Sequence, residues 1–146
     1  MHIPRRGLFD AVARGGRDLG ETMKSLPFWF IVVGAVLALA GMAWGIQMAI
    51  TQDHALSPGH AHNNLVGFVT MVIYGVYYKL VPAAAQTRLA LVHFWVALLG
   101  ALTIGIGVAM ATAGQGEWLA QIASIATIIG MAIFVVTIFR NRAALA

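Results

Sequence analysis

Four long apolar runs dominate the chain, at about residues 27–50, 60–82, 89–112 and 118–139. A helix rises 1.5 Å per residue, so about 20 residues cross the hydrocarbon layer of a bilayer. Each run reaches that length. Strands of a membrane barrel would be shorter and would alternate apolar with polar residues, whereas these runs are continuously apolar. The expected fold is therefore all-α: an integral membrane four-helix bundle over 27–142, preceded by a basic arm at 1–26. The composition agrees. The chain is 60% hydrophobic and 10% charged, against about 25% charged residues in soluble domains.

Charge placement orients the bundle. Arg5, Arg6, Arg14, Arg17 and Lys24 precede the first run. Lys79 and Arg88 flank the second connection, and Arg140 and Arg142 follow the fourth run. In a four-span chain all 9 basic residues then share one side. The loops on the other side carry Asp53 and Glu117. Basic residues gather on the cytoplasmic side, so both termini are expected inside a bacterial-type cytoplasmic membrane. The net charge of +4 and the pI of about 10.1 thus have a membrane explanation, and nucleic acid is not an expected partner. The basic start is not followed by the apolar core of a signal peptide; an arm lying on anionic lipid is expected there. With Cys 0, disulfides, thiolate metal sites and iron–sulfur clusters are excluded.

Within the runs, Pro27 suits the first turn of a helix. Phe28, Trp29 and Phe30 lie where an interfacial aromatic belt belongs, and Tyr77 and Tyr78 read as belt anchors at the same side. Gly41 and Gly45 form a small-xxx-small pair that lets another helix approach closely. Gln47 lies near the depth of the second run's histidines and has hydrogen-bonding capacity there.

The second run opens with Gly59-His60-Ala61-His62-Asn63-Asn64-Leu65-Val66-Gly67-Phe68. Ionisable groups at membrane depth are costly and mark function. Two residues apart on a helix, His60 and His62 project about 200° from each other. One chain therefore cannot easily aim both at one metal ion. The pair suits a helix set between two sites, or two neighbouring chains that each contribute one imidazole. Below His60 the face runs through Asn64 and Gly67, and Gly67 is expected to leave flat space for a planar cofactor. Below His62 the wall is apolar, through Val66, Val69, Ile73 and Val76. Neutral imidazole is a ligand for haem iron. The plain alternative is a pair of interfacial histidines bonded to water and headgroups. His54, in the outer loop, is a weaker candidate for a metal ion or for haem propionates. His93 is expected to be structural or interfacial.

The segment GHAHNNLVGFVTMVIYGVYYKLVP, with the following LVHFWVALLG, resembles helices ten and eleven of subunit I of the heme-copper oxidase superfamily, the cytochrome c oxidases and their nitric oxide reductase relatives. The resemblance spans roughly residues 58–112. It implies that His60 and His62 are haem-iron ligands on opposite sides of their helix. In that family subunit I is built from three such four-helix groups, whereas this chain has one, and it lacks a recognisable copper-binding histidine cluster and a cross-linked His-Tyr element. Copper is thus possible but unsupported, and oxygen reduction by a lone copy is not expected.

A ring of three copies would imitate one subunit I, with a dimer as the alternative. The expected function is electron transfer through a b-type haem held between protomers by His60 and His62, with Asn64, Gly67 and Gln47 beside it, serving a redox partner that the sequence does not name. Two further classes stay open. One is a gas-binding or oxygen- or nitric oxide-reducing haem enzyme with one axial position free. The other is a structural or assembly partner of a respiratory complex without haem.

Overall fold

A computed structural model describes the backbone of residues 5–144 and the side chains of residues 25–144. Every regular element among them is helical: α1 (Arg5–Thr51), α2 (Ser57–His62), a π-helical segment (Asn63–Thr70), α3 (Met71–Leu80), α4 (Pro82–Ala85), α5 (Arg88–Thr112), α6 (Trp118–Arg140) and a closing 3-10 turn (Arg142–Ala144). Three helical stretches are long and apolar enough to cross a membrane: Ser25–Thr51, Arg88–Thr112 and Trp118–Arg140. The segments α2, π and α3 follow one another without a break and form one rod from Ser57 to Leu80.

Element boundaries follow local chemistry. Pro58 occupies the first turn of α2, where its missing N–H is not needed. Val81 leaves the helical region at φ −121°, just before Pro82. Thr87 caps α5 by accepting the Ala90 N–H at 3.1 Å, the usual service of a threonine at that position. Gly114 and Gly116, at φ +72° and +107°, let the chain turn into α6, a conformation costly for residues with a Cβ. One expected boundary moves. Pro27 lies inside α1 rather than at its start. Around it Leu26 and Phe30 are fully buried, and this packing carries the helix through a residue that removes one backbone bond. The expected separation of 1–26 from the first span is therefore not a break in the backbone helix. The lipid-lying face expected of that arm falls outside the described side chains.

The helices alternate in direction. Glycines are the contact points, because they let backbones meet. A Cβ at Gly34 would lie 2.8 Å from Val72, and one at Gly75 would lie 2.9 Å from the Pro27 carbonyl, so α1 and the rod run antiparallel. The rod meets α5 at Gly59–Gly105 and Gly67–Ala101. α5 meets α6 at Gly107–Ala120 and Gly100–Thr127. The tightest core is aromatic and sits at the Lys79 end. It contains Phe30, Tyr74, Tyr77, Tyr78, Phe94 and Phe134.

Tyr77 and Tyr78 are accordingly not belt anchors. Tyr78 is 0% exposed and shares a hydrogen bond of 2.9 Å with His93 Nδ1. Its hydroxyl finds a polar partner inside the chain, which removes the need to reach the membrane surface.

Candidate functional site

The histidine rod is held between α1 and α5 by a row of buried residues at four-residue spacing: Gly59, Asn63, Gly67 and Met71. In an α-helix each four-residue step overshoots a full turn by about 40°. The wider π winding, which closes i→i+5 bonds, brings that row back into line. Asn63 is the wedge. Its Nδ2 donates to the Leu37 carbonyl of α1 at 2.9 Å, and on its other side its Cβ abuts Gly105 of α5. Thr70 Oγ1 donates to the Leu65 carbonyl five residues back, at 2.8 Å.

The two imidazoles leave this rod on different sides. His60 turns toward α1. A Cβ at Gly45 would lie 3.3 Å from its Cε1, and its ring meets Trp44 edge-to-face at 6.0 Å. Asn64 Nδ2 contacts His60 Nε2 at 3.0 Å, and the Asn64 amide fills the space over Gly41. Gly41 and Gly45 thus serve close packing, and what they receive is the polar stretch itself. His60 Nδ1 is buried without a hydrogen-bond partner among the described residues.

His62 is exposed on the other side. Its Nδ1 lies 2.8 Å from the Pro58 carbonyl. A carbonyl only accepts, so Nδ1 carries the proton, and in the neutral ring the lone pair sits on Nε2. The ring lines a cleft of about 310 Å³ with Val66, Ile104, Ser124, Thr127 and Ile128.

These positions test the fit of a haem. His62 suits an iron ligand. Ligating histidines almost always donate their other ring N–H to a carbonyl or carboxylate, which fixes tautomer and orientation. His60 does not present a free nitrogen in this arrangement, because Asn64 holds Nε2 and Nδ1 is enclosed. Asn64 is a partner of His60 and faces α1 rather than an open wall. The flat space expected beside Gly67 is filled: a Cβ there would meet Leu37 at 3.1 Å and the Ala101 carbonyl at 3.5 Å. Gly67 serves helix packing within the chain. Gln47 lines a separate cavity with Trp44 and Asp53. His54 is exposed in the loop, where its carbonyl accepts from the Ser57 hydroxyl at 2.7 Å. Among the described residues no group of three or more His, Asp or Glu is placed to hold a metal ion.

Two features went unread in the sequence, and the structural reading of His93 acquires a setting. Ser124 and Thr127 bring hydroxyls to the His62 cleft, and their signal was two polar residues three apart on an apolar helix. Asn63, rather than Asn64, is the buried amide; its signal was the shared spacing with Gly59 and Gly67. His93 is fully buried inside a cage of Phe30, Tyr74, Tyr78 and Phe134, with Nε2 unpartnered among the described residues. Compared with protein-family models, curated proteins and solved structures, the chain matches none.

Proposed function

We propose that this chain is a haem-binding integral membrane protein of the electron-transfer type. It spans the bilayer four times with both termini inside, the rod of Ser57–Leu80 being the fourth span beside the three long apolar helices. The observation that carries the reading is the His62 ring, fixed by its Nδ1–H bond to the Pro58 carbonyl and lining a cleft, with the lone pair left on Nε2. A polar ring so presented at membrane depth is costly unless it is used.

His62 would hold the iron of a b-type haem through Nε2. The second imidazole comes from a neighbouring copy, because His60 of the same chain points toward α1. His60 of that neighbour serves if its ring trades the Asn64 contact for iron. Such an exchange across each interface is satisfied by a closed ring of copies, with three as the leading number, by resemblance to heme-copper oxidase subunit I. A haem held by two imidazoles would supply electron transfer rather than gas binding.

The test is haem content against mass. Protein purified in mild detergent is expected to run as a homo-oligomer holding one haem per interface. A monomer that retains full haem content would exclude ligation across chains.

A further inference from the structure

The outer end of α1 carries a second cavity that the histidine site does not use. It measures about 170 Å³ and is lined by Trp44, Gln47, Met48, Thr51, Asp53 and Leu56. That is below the roughly 300–1,000 Å³ of sites for drug-sized ligands, so its occupant is small. We infer that this cavity binds an alkylammonium group, either the headgroup of a zwitterionic lipid or a free quaternary amine.

Three features of one sign converge there. The first is the carboxylate of Asp53. Its Oδ1 accepts the Ala55 N–H at 3.0 Å, which fixes the side chain and leaves the second oxygen and the charge available. The second is the carboxyl-terminal end of α1 at Thr51, where aligned peptide dipoles leave a partial negative charge. The side-chain donors at that end are neutral: Thr51 Oγ1 to the Gln47 carbonyl at 2.9 Å and Gln52 Nε2 to the Ala49 carbonyl at 2.6 Å. The third is the indole of Trp44, the aromatic side chain best suited to attract a cation. Among the described residues no Lys or Arg lies near this cavity. Lys79, Arg88, Arg140 and Arg142, the described basic side chains, sit at the opposite ends of the helices. A cation with an apolar skin satisfies the carboxylate and the helix end while resting on Trp44, Met48 and Leu56.

Choline is the probe, with full-length protein and saturation-transfer NMR. Saturable binding is expected, weakened about two- to fivefold in Asp53→Asn, as removal of one exposed charge partner implies, and closer to the unaltered protein in Asp53→Glu, which keeps the charge. The Asn variant keeps an oxygen for the Ala55 N–H, so it isolates charge from loop shape. In bilayers of phosphatidylglycerol alone choline binds as in detergent. Added phosphatidylcholine displaces it if a lipid headgroup is the occupant and leaves it bound if the ligand comes from solution. Choline that fails to saturate, or that binds Asp53→Asn as tightly as the unaltered protein, overturns the site. The site shares only Trp44 with the surroundings of His60, so its failure leaves the haem reading standing.

Discussion

The His62 ring donates its Nδ1 proton to the carbonyl of Pro58, 2.8 Å away and one turn back on the same helix. That bond fixes the tautomer, leaves the lone pair on Nε2 and costs the protein no second helix. His60, two residues earlier, is held differently. Its ring is wedged over Gly45 beside Trp44 and bonded to Asn64. The two imidazoles of one motif are therefore unequal: one is ready to bind and one is engaged.

Asn64 decides how His60 can act. Asn64→Ala frees His60 Nε2, and giving up one hydrogen bond of about 1 kcal/mol tightens haem binding about fivefold if His60 is the second ligand. Haem titration of the purified variant reads this directly. A tenfold loss instead would mean that the Asn64 contact supports the site rather than competing with it.

Helix approach can be tested away from the histidines. A Cβ at Gly105 would lie 2.8 Å from Asn63 Cβ and 3.2 Å from the Gly59 carbonyl. Gly105→Ala should destabilise by about 1–3 kcal/mol, the range for overpacking. At Gly130 the nearest atom is 3.7 Å away, and Gly130→Ala should be neutral or slightly stabilising through helix propensity. Thermal unfolding in detergent compares the two. Equal melting temperatures would contradict the packing described at Gly105.

The long apolar runs made the helical class legible, and the expected starts near 60 and 89 fell slightly inside helices that begin at Ser57 and Arg88. The π winding was not legible, because it depends on Asn63 fitting between Leu37 of α1 and Gly105 of α5, contacts far apart in sequence. Tyr78 misled for a related reason. At the end of an apolar run, a lipid anchor and a buried ring give the same local pattern, and only its bond to His93 separates them. The opposed directions of His60 and His62 followed from helical spacing. The space beside Gly67 did not, since a glycine says that something approaches closely but not whether it is a porphyrin or Leu37.

The Tyr78–His93 pair offers a coupling measurement. Tyr78→Phe leaves His93 Nδ1 without a partner in a buried cage, which costs about 1–3 kcal/mol. His93→Phe orphans the tyrosine hydroxyl in the same way. The double variant should lose less than the sum of the two, because neither polar group then remains. Strict additivity in the unfolding free energies would show that the bond does not contribute.

The most direct measurement is the reduced-minus-oxidised absorption spectrum of the purified protein beside its His62→Ala variant. The account expects sharp b-type bands, unchanged by carbon monoxide, in the unaltered protein, and their loss in His62→Ala with the helical circular dichroism intact. An unaltered protein reconstituted with haem that shows no Soret band, or a His62→Ala variant that keeps the full spectrum, would contradict it.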